Sequence, residues 1–294
     1  MGTDISLTTE RYHTHDSVFA CTEMMLRRYE RVFSANREDA MLGALNRSAG
    51  IRPLKVDADL FELIQIGKRE SLESELRLNI AIGPLTELWR IGFPDARLPS
   101  PAEIEACLPL LDPNDIELDE GNCEVFLRKK GMKIDLGALA KGYFADKIRE
   151  YWKEQGVQNG LIDLGRNIHT IGGSKNSDYA FWTIGIADPF HKGGLKTAVQ
   201  IRNKSIVTSG VYERFLELDG VRYPHILDAR SGRPIETQIA SVSVIADSSL
   251  QAESLSTSLI FLGIEEALFE ARRRDGVDVI LIDRAGELFT SITY

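Results

Sequence analysis

The stretch Lys133–Trp152, KIDLGALAKGYFADKIREYW, combines two patterns that together decide the fold. Its later part repeats apolar residues at the spacing of one helix face, which predicts a helix packed on a core. Those apolar residues are Leu139, Tyr143, Phe144, Ile148 and Trp152. Its early part gathers a carboxylate, small residues and a cation around the helix entrance. These entrance residues are Asp135, Gly137, Ala138 and Lys141.

The entrance of this helix has two interpretations. The free N–H groups at a helix start attract anions, and small residues let a ligand approach the main chain. A phosphate beside Lys141 is the functional interpretation. Alternatively, Asp135 caps the helix and Lys141 is a solvated side chain. Taken alone, this stretch favours the second interpretation.

Composition excludes some classes of protein. The 294 residues carry a net charge of −9, which disfavours nucleic acid as a partner, since that binding needs clustered Lys and Arg. Three cysteines without a CxxC pair suggest neither a zinc site nor a disulfide framework. Because no run of about 18 apolar residues occurs and the start is polar, we expect a cytoplasmic chain or an exported one without its leader.

The pattern of predicted elements changes near the middle of the chain. The first part, about residues 1–130, is rich in helical periodicity, and the part from about residue 131 to 294 is rich in short β-type runs. These runs include GLIDLG, FWTIGIADP, LKTAVQIRNKSIVTSG, RYPHILD, IASVSVIAD, DVILIDRAG and ELFTSITY. Strands and helices in irregular order predict an α+β fold with mixed or antiparallel sheets and flanking helices.

A second polar cluster lies in TSGVYERFLELDGVRYPHILDARSGRP. It contains Thr208, Ser209 and Gly210, followed by His225 and Asp228 on a short strand that enters a turn. Loop rims of this kind often hold functional side chains, although a single histidine is as often structural. Both interpretations stay open for His225.

A third cluster lies in AESLSTSLIFLG. Glu253 and Thr257 are four residues apart on a predicted helix and therefore share a face. A carboxylate and a hydroxyl can both give oxygens to Mg²⁺, which uses few protein ligands together with water and phosphate. The alternative is a polar helix stripe without a ligand. Neither a GxGxxG nor a P-loop fingerprint occurs elsewhere in the chain.

Nine segments in sequence order resemble the ApbE family of FAD:protein FMN transferases. They are MGT, ALN, IGPLTELW, IDLGALAKGY, GLIDLGRNI, WTIGIADP, VTSGVYERF, HILDARSGRP and AESLSTSLIFLG. The resemblance covers essentially the whole chain and implies a single two-lobed, T-fold-like domain over residues 1–294, with interlocked lobes.

The resemblance also implies a reaction. A Mg²⁺-dependent enzyme of this family cleaves FAD and attaches FMN by a phosphoester to a Thr or Ser hydroxyl of a target flavoprotein, releasing AMP. The alternatives are a Mg²⁺-dependent FAD pyrophosphatase, which gives FMN and AMP, and a non-catalytic FAD-binding protein. Family members often carry a lipoprotein or secretion leader, which leaves open the exported form.

The matching motifs assign site residues by resemblance. The FAD contacts implied are Met1, Asn36, Arg77, Leu78, Asn79, Asp135, Lys141 and Ile226. The metal ligands implied are Glu253, Thr257 and the carbonyl of Ala138. His225 is expected to activate the acceptor hydroxyl, with Asp228 as its catalytic neighbour.

Three positions depart from the family pattern. Glu253 stands where Asp is usual, Asn79 replaces a frequent Asp, and Arg166 replaces the second glycine of a Gly-Gly pair. The departures bear on rate, on the metal used and on the acceptor more than on flavin binding.

Overall fold

The computed structural model describes residues 3–9, 15–35, 37, 39–75, 77–178 and 180–292, with main chain only at residues 15, 16 and 177. The α-helices are α1 His15–Phe33, α2 Met41–Arg47, α3 Ala58–Glu73, α4 Gly83–Trp89, α5 Pro101–Cys107, α6 Ala140–Glu154, α7 Ser249–Leu259 and α8 Ile264–Arg272. Helices and antiparallel strands alternate irregularly, so the predicted α+β class is confirmed.

The strands in the first part of the chain are β1 Ser6–Thr9, β2 Leu54–Lys55, β3 Ile116–Asp119, β4 Glu124–Leu127, β5 Gly160–Asp163, β6 Asn167–Ile171, β7 Trp182–Ala187 and β8 Leu195–Ile201. Those that follow are β9 Ser205–Gly210, β10 Phe215–Leu218, β11 Val221–Pro224, β12 Leu227–Asp228, β13 Arg233–Pro234, β14 Ile239–Ala246, β15 Asp278–Asp283 and β16 Leu288–Thr290. The chain forms two compact units, each assembled from separated segments.

The first unit contains the described residues of Met1–Arg27, Leu139–Gly210 and Thr237–Tyr294. Its centre is an antiparallel seven-stranded sheet in the order β1-β5-β6-β9-β14-β15-β16. The β7–β8 hairpin packs an apolar cluster against Ile206, Ile245, Ile280 and Ile282 of this sheet. Every residue of β14 is buried, as expected for a central strand that is covered on both faces.

Helix α6 packs in the first unit through the apolar face that the sequence predicts. Leu139, Tyr143, Phe144, Ile148 and Trp152 are all at most 3% exposed. The indole of Trp152 donates a hydrogen bond to Thr22 Oγ1 at 2.8 Å, which satisfies its polar atom inside the core. This part of the prediction is confirmed.

The second unit contains the described residues of Arg28–Ala138 and Val211–Glu236. It comprises α2 to α5, a three-stranded sheet in the order β2-β4-β3, and the hairpins β10–β11 and β12–β13. An apolar cluster that includes Leu85, Trp89 and Leu227 ties α4 to the second hairpin. Trp89 Nε1 donates to the carbonyl of Gly232 at 2.9 Å and so fixes the turn after Asp228.

Candidate functional site

Helix α6 begins later in the sequence than predicted. Helix α6 starts at Ala140, and residues 133–136 belong to no helix or strand. The main-chain N–H of Ile134 donates to Asn46 Oδ1 at 2.8 Å, and that of Asp135 donates to the carbonyl of Ile80 at 2.9 Å. These bonds hold the segment out of helical conformation. The expectation of a helix from Lys133 is therefore wrong by about two turns.

Asp135 caps a turn rather than the helix. Its Oδ1 accepts the N–H of Gly137 at 2.8 Å, and its Oδ2 accepts the Thr86 hydroxyl at 3.2 Å. A short carboxylate side chain that binds the N–H two residues on stabilises a turn in competition with a helix. The interpretation of Asp135 as the helix cap is wrong, and the cap residue of α6 is Leu139, without a side-chain cap.

The start of α6 holds a carboxylate that the protein itself supplies. Glu253 of α7 is 2% exposed, and its Oε2 accepts the N–H of Gly142 at 2.5 Å. Its Oε1 is ion-paired with the ammonium of Lys141. Both bonds lie in the first turn of α6, where free N–H groups favour negative charge. The anion preference predicted for this entrance is therefore met by Glu253, and Lys141 is paired with a carboxylate and only 30% exposed.

The start of α7 is held in the same way by α6. Asp146 accepts the N–H groups of Ser249 at 2.9 Å and Leu250 at 3.0 Å, and the hydroxyl of Ser248 at 2.7 Å. Each helix thus supplies a carboxylate to the N-terminal turn of the other. Asp146 is not recognisable from the sequence, because its partners lie about one hundred residues away.

Gly142 allows the two helices to approach this closely. A Cβ at this position would lie 2.6 Å from the carbonyl oxygen of Ser249 and 2.7 Å from the Cα of Leu250. Main-chain atoms cannot move aside as a flexible side chain can. A glycine within a helical pattern, four residues before Asp146, is the signal that points to this contact in the sequence.

The donor set on α7 suits a hard cation. Thr257 lies one turn after Glu253, is half-buried, and makes no side-chain hydrogen bond to any residue in the described part of the chain. A carboxylate and a free hydroxyl are oxygen donors of the kind that Mg²⁺ prefers. Among the described residues, no three His, Cys, Asp or Glu side chains converge on one point. The residues present fit a Mg²⁺ ion that completes its shell with water, main-chain oxygen and phosphate.

His225 lies on the short connection between β11 and β12 in the second unit. Its Nδ1 is 3.1 Å from the carbonyl oxygen of Arg214. A carbonyl only accepts hydrogen bonds, so Nδ1 carries the proton, and the neutral ring has its basic lone pair on Nε2. The main-chain N–H of His225 also donates to the Arg214 carbonyl, at 3.0 Å, which restrains the residue.

Asp228 and Ile226 shape the turn next to His225. Asp228 Oδ1 accepts the N–H of Arg230 at 2.9 Å and its Nε at 3.0 Å. These bonds are suited to holding the turn. The carbonyl of Ile226 accepts the N–H of Ile235 at 3.0 Å. The catalytic role of His225 and Asp228 and the flavin contact of Ile226 stay predictions.

The segment Arg77–Asn79 is largely built into the second unit. Leu78 is 2% exposed, and its N–H and C=O both pair with Ser74 Oγ at 3.1 Å. Asn79 donates from Nδ2 to the carbonyl of Leu111 at 2.8 Å and accepts the N–H of Ala81 at 2.8 Å. Arg77 is the most accessible of the three, and its Nη1 lies 3.5 Å from Glu75 Oε2. Flavin contact at these residues stays a prediction.

Four further positions singled out in the sequence are Ala138, Met1, Asn36 and Arg166. Ala138 is half-buried in the turn before α6. Met1 and Asn36, two predicted flavin contacts, lie outside the described residues. Arg166 has φ +67°, a conformation that glycine adopts more readily. Its N–H donates to Asp163 Oδ1 at 3.0 Å, and burial raises the pKa of that carboxyl. The left-handed backbone explains why glycine is usual at position 166.

The chain combines an α+β fold with a carboxylate–ammonium pair at a helix N-terminus. No helix within the described residues is long and apolar enough to cross a membrane. Residues 1–281 match the sequence model of the ApbE family. The chain belongs to the ApbE family.

Named proteins that are similar to this chain in sequence or structure belong with the same family description. A FAD:protein FMN transferase of Klebsiella pneumoniae is 40% identical over 293 residues, covering 99% of this chain and 89% of the relative. One of Treponema pallidum is 40% identical over 271 residues, covering 88% and 75%. The ApbE protein of Thermotoga maritima matches with TM-score 0.88 at 26% identity, covering 99% of this chain and 94% of that one. The flavin transferase ApbE of Vibrio cholerae matches with TM-score 0.84 at 26% identity, with the same coverages.

Proposed function

We propose that this protein is a Mg²⁺-dependent FMN transferase, which attaches FMN from FAD to a Thr or Ser hydroxyl of a target flavoprotein and releases AMP. The observation that carries the proposal is the contact of buried Glu253 with Lys141 and Gly142 at the start of α6. It gathers an oxygen donor, a cation and a helix N-terminus, the groups that phosphoryl transfer uses. The relatives named above as FAD:protein FMN transferases support the same reaction.

The reaction balances without an oxidant or reductant. The acceptor oxygen forms a bond to the phosphorus on the FMN side of the diphosphate, and the bond from that phosphorus to the AMP oxygen breaks. His225 Nε2 takes the hydroxyl proton, because Nδ1 is committed to the Arg214 carbonyl. Bound Mg²⁺ supplies neutralisation of the charge on the diphosphate. Glu253 and Thr257 would hold the metal, with the Ala138 carbonyl as a third ligand.

Other residues are assigned to binding and orientation. We assign Lys141, which is paired with Glu253 in this structure, to a phosphate oxygen of the bound dinucleotide. Asp135 lies in the turn that leads into α6. Asp228 orients the His225 turn through Arg230. The contacts proposed with the flavin or adenine are Met1, Asn36, Arg77, Leu78, Asn79 and Ile226.

The direct test is incubation of the purified chain with FAD, MgCl₂ and a flavoprotein that contains a candidate acceptor threonine. Transfer adds the mass of FMN less one water to the acceptor, makes its gel band fluorescent and releases one AMP for each label. Replacing the acceptor threonine by valine should abolish the label. Equal release of FMN and AMP with and without the acceptor would show that the protein hydrolyses FAD and does not transfer FMN. FAD that stays intact in every incubation would refute catalysis.

A matched variant tests the role of His225. The change His225→Asn keeps a side chain that can donate to the Arg214 carbonyl but has no basic ring nitrogen. We expect transfer to fall at least about a hundredfold, the usual effect of losing a general base. FAD affinity, measured by flavin fluorescence, should stay within about threefold of wild type. Unchanged transfer in this variant would remove His225 from the mechanism.

A further inference from the structure

The ammonium of Lys141 and a metal ion would compete for the same oxygen of Glu253. Lys141 Nζ contacts Glu253 Oε1, and the Gly142 N–H contacts Oε2 at 2.5 Å. Mg²⁺ binds carboxylate oxygens at about 2.1 Å, as close as the ammonium or closer. Two cations at one carboxylate oxygen repel each other, and the repulsion is stronger at a buried carboxylate than in bulk water. Metal binding at Oε1 is therefore favoured when Lys141 moves away from it.

The structure shows which partner can move. The Glu253 side chain is 3% exposed and is tied to the main chain of α6, so its carboxylate is fixed. The Lys141 side chain is 30% exposed and has a flexible four-carbon stem. The bond from the Gly142 N–H to Oε2, which links α6 to α7, does not involve the ammonium.

We propose that Lys141 is an exchangeable counter-ion: it neutralises Glu253 when no metal is bound, and it transfers to a phosphate of the dinucleotide when Mg²⁺ takes its place. This proposal rests on the proposed function for the identity of the phosphate. The exchange keeps a buried carboxylate paired with a cation in both states, which avoids the cost of a buried unpaired charge.

The exchange makes metal and FAD binding cooperative. Without FAD, the ammonium competes with the metal for Oε1, so the metal binds weakly. With FAD, a phosphate accepts the ammonium and lowers that competition. Thermodynamic linkage then requires the metal to tighten FAD binding by the same factor. Lys141 would thus suppress metal binding until the substrate arrives.

The test uses the full chain freed of FAD and titrated with Mn²⁺ alone, with binding followed by electron paramagnetic resonance. Lys141→Met removes the charge and keeps the stem, and Lys141→Gln is a second variant that retains a hydrogen-bond donor. Lys153→Met is the matched control, because it removes a lysine from the exposed last turn of α6. We expect both Lys141 variants to bind Mn²⁺ about tenfold tighter than wild type, and the control to be unchanged.

A second measurement follows the coupling. The factor by which MgCl₂ tightens FAD binding, relative to EDTA, should be smaller in both Lys141 variants than in wild type. Metal affinity that is unchanged or weaker in both Lys141 variants would overturn the exchange. The Mn²⁺ titration contains no FAD and no acceptor, so it does not depend on the proposed function. If the wild-type chain transferred no FMN but the Lys141 variants bound Mn²⁺ more tightly, the proposed function would be refuted and the exchange would stand.

Discussion

Glu253 and Gly142 connect two helices: the buried carboxylate of α7 accepts the N–H of Gly142 in the first turn of α6 at 2.5 Å. Asp146 of α6 returns the contact to the first turn of α7. The proposed metal ligand is therefore also part of the link between these helices. Glu is one methylene longer than the Asp usual in the family, and here its carboxylate bridges to α6.

Removing the negative charge of Glu253 should weaken metal binding. Glu253→Gln keeps the shape of the side chain but gives an amide oxygen in place of a carboxylate. We expect affinity for Mn²⁺ to fall about a hundredfold or more, as charge count controls such sites. Calorimetric titration with FAD present measures it. The control is Glu266→Gln on the exposed face of α8, and equal losses in both variants would contradict a site at Glu253.

Adding a methyl group at Gly142 should force α6 and α7 apart. Gly142→Ala places a carbon 2.6 Å from the Ser249 carbonyl oxygen, and we expect a loss of about 3 kcal/mol in the free energy of unfolding. Urea denaturation measures the loss. Gly263→Ala is the control, because a Cβ there meets nothing within 4 Å. A difference between the two variants below about 0.5 kcal/mol would disprove the close approach.

Restoring the family's usual aspartate at position 79 should destabilise this chain. Asn79→Asp would set a carboxylate oxygen against the Leu111 carbonyl, which now accepts from Nδ2 at 2.8 Å in a site 7% exposed. We expect a loss of about 2 kcal/mol in the free energy of unfolding, by thermal or urea denaturation. Asn203→Asp is the control, since exposed Asn203 only accepts, from the Gly172 N–H. Equal stability of the two variants would be the contrary result.

Buried His169 should make stability depend on pH. Both ring nitrogens lack hydrogen-bond partners in the described residues, and burial lowers the pKa of His169 to about 4. The charged groups that act on this ring are Asp146, Arg149, Lys153 and Asp247. The His169 ring therefore takes up a proton near pH 6.5 in the unfolded chain but only near pH 4 in the folded chain. Stability is therefore lost as pH falls through this window.

The change His169→Leu should remove that part of the pH dependence. Between pH 7 and pH 5, wild type should lose about 2 kcal/mol more unfolding free energy than the variant, as one pKa unit corresponds to 1.36 kcal/mol. Urea unfolding at both pH values gives the comparison. Parallel losses in the two proteins would show that His169 titrates normally in the folded state.

Periodicity in the sequence predicted the elements that bury one regular face. Helix α3 lies in the part of the chain where helical periodicity was expected, and it runs from Ala58 to Glu73 with Asp57 as its cap. In contrast, β6 was not expected, because NIHTI has three polar residues, Asn167, His169 and Thr170, that become buried only inside the sheet. The β-type run from Leu195 to Gly210 forms two strands, separated by residues 202–204.

Short motifs that keep their order along the chain were enough to indicate the family and to single out Lys141, Glu253 and Thr257 as candidate site residues. Only the tertiary structure decided that Lys141 and Glu253 are partners, that α6 starts at Ala140, and that Asp146 caps α7. The reason is physical. Helical spacing is a local property, whereas a hydrogen bond between residues more than one hundred positions apart depends on how α6 and α7 pack, and no periodicity encodes that distance.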